Sequence, residues 1–354
     1  MRAHHAHAHI HTHVRTHARA PVPASASAWI QVLTGFLGAG KTTLLNRLLS
    51  ELSGKRFAVI VNEFGDIGID GALIETGDEE LIELSSGCIC CVVRGDLIRG
   101  MRNLLIEKPG LDGIIIETTG LANPSPVIQT LVIDQVIGAQ CRLDSVVCVV
   151  DAVHIESQLA DGADAADQIA FSDHLVLNKV ADARQSIDGL EATLRRINPY
   201  AAITRTNRSD VPADRIINRH GFDLDRIDSQ LSSDAGHDDD HAHDHSGHIE
   251  KTGITSVSLT CAQPFDADRL EEWLQDLLAR HGTDILRTKG ILSVAGDDRK
   301  LALQAVNMML EGDFIGPWET KQRTSRLVFI GRNLDRSKLL TAFNNCRAAV
   351  AADA

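Results

Sequence analysis

The sequence predicts an α/β fold, a parallel sheet flanked by helices, followed by a smaller C-terminal α+β domain. In the first part of the chain, short and nearly continuous apolar segments alternate with helical patterns, as is typical of buried parallel strands. After residue 252 the pattern changes to the alternation of a half-buried strand over 254–261. The chain has 354 residues, 44% of them hydrophobic and 23% charged, which suffices for two domains with real cores.

Bulk composition excludes several classes of protein. The net charge of -13 argues against a general nucleic-acid binder, which would show a basic footprint. No stretch approaches about 18 uninterrupted apolar residues, so we expect no transmembrane helix, no membrane partner and a cytoplasmic location. Seven cysteines, three of them crowded together, favour a reduced compartment with metal or redox chemistry over a disulfide framework.

The first predicted strand, 29–34, runs into a loop that matches the phosphate-binding pattern G-x-x-x-x-G-K-[ST]. An amphipathic helix follows, which is the context this motif requires for a P-loop NTPase. Glycines let backbone N–H groups converge on phosphate oxygens, and we expect Lys41 to reach the β- and γ-phosphates and Thr42 to bind Mg²⁺. The nucleotide-binding candidates here are Gly35, Gly38, Ala39, Gly40, Lys41, Thr42 and Thr43.

Acidic residues follow two further predicted strands, over 57–62 and 111–117. The carboxyl ends of parallel strands are where open α/β sheets bind ligands. Glu117 would supply the carboxylate of the Mg²⁺ site, and Gly120 would let an N–H group approach the γ-phosphate. For Glu63 and Asp66 the sequence leaves several alternatives open. They could sense the γ-phosphate, contact Mg²⁺ through water, add a ligand to another metal, or lie in a solvated loop. The catalytic candidates are Lys41, Thr42, Glu117 and Glu63.

Three cysteines fall within four positions after Gly87. A helix is predicted from about 93 to 107, so these thiols lie near a helix N-terminus, where thiolate is favoured. Thiolates are soft ligands suited to Zn²⁺ or Cu⁺, and three protein ligands leave a fourth position open for exchange. Buried inert thiols and a redox pair are the alternatives. The predicted zinc ligands are Cys88, Cys90 and Cys91.

The pentapeptide from Asn178 to Asp182 follows another predicted strand and resembles a base-recognition loop. A loop of the N-K-x-D kind needs a carboxylate that accepts from the guanine N1 and N2 hydrogens. Here Ala181 stands where Asp is expected, and Asp182 comes one residue later. We therefore predict Asn178, Lys179 and Asp182 as nucleotide-binding residues and leave guanine selectivity open. Asn207, beyond the predicted last strand of the sheet, is expected near the base.

Two short tracts hold twelve of the 16 histidines. Neither tract can bury an apolar face, so we expect a disordered tail over 1–28 and an exposed linker over 229–252. Imidazoles there would collect Zn²⁺, Ni²⁺ or Co²⁺ loosely; a linker without a role, and a tail foreign to the native protein, are the alternatives. The weak linker ligands are His237, His241, His243, His245 and His248.

The remaining predicted elements complete the two domains. Helices are predicted over 186–197 and 265–280, with a closing helix over 335–346. The strands predicted for the second domain cover 254–261, 285–295, 302–309 and 326–330.

Together these residues resemble the CobW family of P-loop GTPases, which is related to the GTPases that assist nickel insertion into hydrogenase and urease. The resemblance covers about 29–348 and implies a P-loop GTPase domain over 29–228 and a CobW-type C-terminal domain over 253–348. The matching segments are 35–42, 62–65, 69–70, 87–91, 94–97, 117–120, 168–179, 289–290 and 328–332.

The resemblance implies a metal-binding GTPase of the chaperone type, with GTP, Mg²⁺ and Zn²⁺ as its ligands. Nucleotide state would control metal release to a client metalloprotein, because hydrolysis would reset the loop over 63–70. Members have been tied to zinc allocation, cobalt delivery in cobalamin synthesis and nitrile hydratase activation. A cobalt-handling protein is therefore one alternative and a passive zinc store another. A homodimer is a further expectation, since related GTPases often pair.

Overall fold

A computed structural model describes residues 28–63, 80–85, 92–232 and 253–349, of which 62–63, 80–85 and 92–94 are described by their backbone alone. These residues divide into two compact units. One is built from 28–222, and the other from 223–232 together with the chain from Thr255 onward. The fold class predicted from sequence, a flanked parallel sheet followed by a smaller α+β unit, is confirmed.

Among the described residues, seven parallel strands form the sheet of the first unit. Their order is β3-β2-β4-β1-β5-β6-β7, so β1 lies between β4 and β5. All carboxyl ends therefore lie along one edge, where open α/β sheets bind ligands. The strands are β1 (Ala28–Gly35), β2 (Phe57–Glu63), β3 (Glu80–Ser85), β4 (Gly113–Glu117), β5 (Cys141–Asp151), β6 (His174–Asn178) and β7 (Ala202–Arg205).

The apolar runs of the central strands reflect cover on both faces of this sheet. β1, β4 and β6 are buried along their whole length, as strands of a doubly covered parallel sheet must be. The helices connecting the strands are α1 (Lys41–Glu51), α2 (Val92–Glu107), α3 (Ser125–Ile133), α4 (Gln135–Gln140), α5 (Ile155–Asp161), α6 (Asp164–Phe171) and α7 (Ile187–Ile197). α1 buries Leu44, Leu45, Leu48 and Leu49, the spacing of one helical face.

Two helices in the described part of this unit begin at a side-chain cap. Ser186 accepts a hydrogen bond from the Gly189 N–H and begins α7 one residue inside the predicted range. Asp134 accepts from the N–H groups of Val136 and Ile137 and begins α4. The four short helices α3–α6 lack the long periodic pattern that predicts a helix from sequence.

The second unit contains a five-stranded sheet in the order β11-β10-β9-β12-β8, counted over the described chain. β9 pairs antiparallel with β10 and β12, and β10 pairs antiparallel with β11. Its elements are α8 (Leu224–Ser232), β8 (Ile254–Cys261), α9 (Ala267–His281), β9 (Ile285–Ser293), β10 (Arg299–Val306), β11 (Met309–Pro317), β12 (Ser325–Arg332) and α10 (Arg336–Asn345). Phe265 and Phe343 lie at the centre of its core, with ring centroids 4.5 Å apart.

One strand prediction is wrong in this unit. The strand predicted over 302–309 crosses a hairpin turn: β10 ends at Val306, and a separate, unpredicted strand β11 begins at Met309. The turn residue Asn307 has a φ of 52°, in the left-handed region that Asn tolerates. The apolar pattern continues straight through this turn, which is why sequence alone merges the strands.

Helix α8 packs against the sheet face opposite the apolar core of the second unit. The Lys300 Nζ donates to Asp228 Oδ2 over 2.6 Å, and the Lys289 Nζ donates to Gln230 Oε1 over 2.6 Å. Neighbouring residues along β10 point to opposite faces, and Leu301 lies in the core. α8 thus belongs with the second unit. The division between the two units falls at Asp223, a few residues before 228, where the P-loop domain was predicted to end.

Several predicted features lie outside the described residues. They are positions 1–27 of the tail, Asp66 with its loop, the three cysteines Cys88, Cys90 and Cys91, and the linker histidines His237, His241, His243, His245 and His248. Ala28, the last residue of the predicted tail, begins β1. No helix in the described part of the chain is both long and apolar enough to span a membrane.

His174, the first residue of β6, makes stability depend on pH. It is buried, with Nε2 2.8 Å from Thr204 Oγ1. Burial lowers the pKa of His174 to about 4, and the charge of Arg219 adds to the effect. Between about pH 6.5 and 4 the unfolded chain therefore binds a proton that the folded chain excludes. We expect the free energy of unfolding to fall by about 3 kcal/mol across that window.

The matched variant is His174→Gln, which keeps an amide within reach of Thr204 but cannot be protonated. Denaturant melts of both proteins near neutral pH and near pH 5 measure the difference. We expect a shallower pH dependence in the variant; parallel curves would contradict the assignment.

Candidate functional site

The phosphate loop joins β1 to α1 and is shaped by its glycines. Gly40, which precedes the first residue of α1, has a φ of 110°. A Cβ atom at Gly40 would lie 2.5 Å from Asn178 Nδ2 and 2.8 Å from Ser209 Oγ. Only glycine fits this position, because the backbone is left-handed and other side chains already occupy the space that a Cβ atom would need. The cradle required for phosphate is thus present, with a helix N-terminus at its base.

Lys41 holds its charge inside this cradle. Its Nζ donates to the Gly35 carbonyl over 2.9 Å and to the Phe36 carbonyl over 3.3 Å. The side chain is largely buried. The loop's own carbonyls therefore keep an ammonium group where the motif places the β- and γ-phosphates. Thr43 is exposed on α1, whereas Ala39 is buried beneath the loop.

Thr42 and Glu117 come together from separate elements. The Thr42 Oγ1 lies 3.5 Å from Glu117 Oε1, as its hydrogen-bond donor. Glu117 ends β4 and is buried, opposite Leu33 of β1. A hydroxyl and a carboxylate are the hard oxygen donors that Mg²⁺ prefers, so these residues fit the ion.

The turn after Glu117 presses against the phosphate loop. A Cβ atom at Gly120 would lie only 2.6 Å from the Leu37 N, so the two backbones are in close approach. Gln168 of α6 is buried and holds this turn, because its Nε2 donates to the Gly120 carbonyl over 3.1 Å and to the Ala122 carbonyl over 3.2 Å. Residue chemistry alone gave Gln168 no role; a polar residue in a buried helix is the only signal.

Asn178 ties the phosphate loop to the loop after β7. Its Nδ2 donates to the Ala39 carbonyl over 2.8 Å and to Ser209 Oγ over 3.1 Å, and its Oδ1 accepts from the Ser209 N–H over 2.9 Å. The Ser209 Oγ in turn donates to the Gly40 carbonyl over 3.0 Å. Asn178 thus supports the loop that holds the nucleotide. Ser209 has no motif around it and could not be found from sequence.

Lys179 is fixed by two partners at the site. It adopts a φ of 63°, and its Nζ donates to the Gly38 carbonyl over 2.8 Å and to Asp151 Oδ2 over 2.6 Å. Asp151 ends β5, is buried, and has its Oδ2 3.0 Å from His154 Nδ1. Burial acts to raise the pKa of Asp151, but hydrogen bonds from Lys179, His154 and the Val153 N–H together hold it below its usual value. A charged Asp151 therefore positions Lys179.

The predicted base-recognition loop over 178–182 contains a short turn. The Asp182 N–H donates to the Lys179 carbonyl over 3.1 Å, and Asp182 is exposed. The Ala181 N–H donates to Asn207 Oδ1 over 2.8 Å. Asn207 therefore lies beside this loop, as expected from sequence.

The predicted zinc ligands stay predictions, because they lie outside the described residues. Within the described chain, no group of three or more His, Cys, Asp or Glu side chains could hold a metal ion. The described cysteines Cys141, Cys148, Cys261 and Cys346 are buried. Burial raises the pKa of Cys148 to about 12 and that of Cys346 to about 11, so these two thiols are poor ligands.

Comparison with known proteins shows similarity along both units. Residues 29–205 match the family described as CobW/HypB/UreG, nucleotide-binding domain, and residues 254–347 match the Cobalamin synthesis protein cobW C-terminal domain. The zinc chaperone YjiA of Escherichia coli (strain K12) is 32% identical over 322 residues, which cover 90% of this chain and 98% of that protein.

A eukaryotic relative and a solved structure extend the comparison. The zinc-regulated GTPase metalloprotein activator 1 of Schizosaccharomyces pombe is 33% identical over 346 residues, covering 87% of this chain and 83% of that protein. The crystal structure of Zn(II)-bound YjiA GTPase from E. coli matches with a TM-score of 0.73 at 27% identity, covering 91% of this chain and 99% of that chain. The fold described above is thus shared over nearly the full length.

Replacing Gly40 tests the cradle. We expect Gly40→Ala to weaken nucleotide binding roughly tenfold or more and to cost about 1–3 kcal/mol of stability, because it combines backbone strain with collision against Asn178 and Ser209. Nucleotide titration and denaturant melts measure the two effects.

The control is Gly54→Ala, whose φ of 91° is also left-handed but where a Cβ atom meets nothing within 4 Å. That variant should show the strain alone and bind nucleotide like the parent. Equal nucleotide affinity in both variants would refute the steric role of Gly40.

Proposed function

This chain belongs to the CobW/HypB/UreG family of nucleotide-binding proteins, with a CobW C-terminal domain, and we propose that it is a GTP-hydrolysing zinc metallochaperone. In this proposal it binds zinc at Cys88, Cys90 and Cys91 and transfers the metal to a client protein. Nucleotide state controls the release. We propose that the protein hydrolyses GTP and transfers zinc in the cytoplasm, and that it acts as a homodimer.

The nucleotide half is supported by the geometry around the phosphate loop. Lys41 and the loop N–H groups stabilise the charge of the β- and γ-phosphates. Thr42 and Glu117 would hold Mg²⁺, which when bound neutralises charge on the phosphate oxygens. Gln168 holds Gly120 against the loop, and in this proposal the Gly120 N–H approaches the γ-phosphate.

The metal half is supported by thiol chemistry and by relatives. Zinc prefers thiolate ligands, and three of them leave a coordination position through which cargo can be exchanged. Two relatives carry zinc in their names, and the similar crystal structure holds Zn(II).

The observation that carries the coupling is the register of three neighbouring strands. Ser85 at the end of β3 lies opposite Glu63 at the end of β2, and Val61 of β2 lies opposite Glu117. The chain leading to Cys88 therefore leaves the sheet on the same edge as the magnesium ligands. The segment over 63–70 begins at the end of β2, which lies between β3 and β4 in the sheet. In this proposal a change at the γ-phosphate is passed to the thiolates by the segment over 63–70, a switch of the order–disorder kind.

The coupling between zinc binding and GTP hydrolysis is tested by adding zinc to the parent and to a single cysteine variant. We expect zinc to change the GTP hydrolysis rate of the full chain and Cys90→Ser to abolish that change while GTP affinity stays the same, because the thiolate site alone communicates the metal. Phosphate release with and without zinc measures the effect. Cys141→Ser, at a buried cysteine outside the cluster, is the control and should respond to zinc like the parent.

Two other results would replace the proposal. A Cys90→Ser protein that still responds to zinc like the parent removes the coupling. Unchanged zinc retention in Lys41→Ala, together with negligible hydrolysis by the parent chain, identifies a passive zinc store instead. For a true GTPase, Lys41→Ala should slow hydrolysis roughly 100-fold or more.

Thiol reactivity tests which cysteines bind metal. Of seven cysteines, four are buried in the described structure, which leaves the three of the cluster. In the folded, metal-free protein we expect about three thiols to react rapidly with a disulfide reagent, and zinc to protect them. Counting released chromophore before and after denaturation gives the numbers. Rapid reaction of more than the cluster, or no protection by zinc, would contradict the assignment.

A further inference from the structure

The base side of the nucleotide site lacks the carboxylate that usually reads guanine. Ala181 stands at that position, in a turn closed by the hydrogen bond from the Asp182 N–H to the Lys179 carbonyl. A methyl group can accept no hydrogen bond from the guanine N1 and N2 hydrogens. Recognition of the base must therefore come from another side chain on this rim.

Asn207 occupies the place beside the missing carboxylate. The loop after β7 runs alongside the turn, because the Thr206 N–H donates to the Leu177 carbonyl over 2.9 Å and the Val180 N–H donates to the Thr206 carbonyl over 3.3 Å. One residue further, the Ala181 N–H donates to Asn207 Oδ1 over 2.8 Å. This bond fixes the amide, with its oxygen toward Ala181 and its NH₂ group on the other side.

The same loop is anchored on both flanks of Asn207. Thr206 bonds to Leu177 and Val180 on one flank, and Ser209 bonds to Asn178 and to the Gly40 carbonyl on the other. Asn207 itself is exposed, so a base lying on this rim can reach its amide. The position is rigid on the protein side and open on the ligand side.

We propose that Asn207 reads the base in place of the absent carboxylate and that it recognises the 6-oxopurine edge without reading the 2-amino group. A carboxylate accepts from both guanine hydrogens with charge assistance. The Asn207 amide is neutral, has one oxygen lone pair already engaged by Ala181, and carries NH₂ donors suited to a 6-oxo acceptor. Guanine and hypoxanthine share that edge, whereas adenine presents an amino group there.

The test compares GTP, ITP and ATP on the full chain by competition against a fluorescent GTP analogue. We expect the parent to bind GTP and ITP within about threefold of each other and ATP at least about tenfold more weakly. Asn207→Asp keeps the shape and the bond from the Ala181 N–H but supplies a carboxylate. It should raise the preference for GTP over ITP to about tenfold or more.

Two further variants complete the design. Ala181→Asp restores the usual motif and should also create a preference for GTP over ITP. Asn207→Ala should reduce the discrimination between 6-oxo and 6-amino purines to within about threefold. Circular dichroism and a thermal melt establish that each variant is folded.

The proposal is overturned if Asn207→Asp leaves the ratio of GTP to ITP affinity unchanged in a folded protein. It is also overturned if the parent prefers GTP over ITP tenfold or more and Asp182→Ala removes that preference, since Asp182 would then be the reader. A parent chain that binds none of the three nucleotides overturns the nucleotide site and this role together. The first two outcomes leave the metallochaperone proposal intact, whereas the third would overturn its GTP-dependent part as well.

Discussion

The nucleotide site depends on one buried amide. Asn178 bonds the phosphate loop through the Ala39 carbonyl and bonds Ser209 through both ends of its amide group. Further bonds join the same segments, from Lys179 to the Gly38 carbonyl, from Ser209 to the Gly40 carbonyl and from the Ala181 N–H to Asn207. Together with Asn178 they connect the cradle for phosphate to the rim for the base. The glycine at position 40 is required because the Asn178 amide lies where its side chain would be.

Two buried carboxylates of the site each bond to a neighbouring side chain. Asp151 holds the Lys179 ammonium against the Gly38 carbonyl, and Glu117 approaches Thr42 on the opposite flank. Both carboxylates end buried strands, where desolvation makes them costly unless they are bonded. The parallel sheet brings them to one edge, and the register of β3, β2 and β4 places Ser85, the end of β3, at that same edge.

The second unit is organised around a different constraint. Its core lies on one face of the sheet, around Phe265 and Phe343, while the other face carries lysines that bond to α8. This arrangement explains why α8 belongs to the second unit, and why 229–232, predicted as the start of the exposed linker, form the last turn of a packed helix. The two faces use alternate residues of the same strands, so an apolar core and a polar interface coexist on one sheet.

The sequence by itself determined the phosphate loop, the strands of both sheets except β3 and β11, the family, and the clustering of the thiols. Each of these rests on residues close together in the chain, where spacing and periodicity carry the information. Only the tertiary structure decided that Asp151 and Ser209 belong to the site, and only it showed which groups Gln168 and Asn207 contact. Their partners are distant in sequence, and Asn178 and Ala39 are separated by 139 positions. A hydrogen bond across such a separation leaves no local pattern, because it exists only once the sheet has brought its strand ends together.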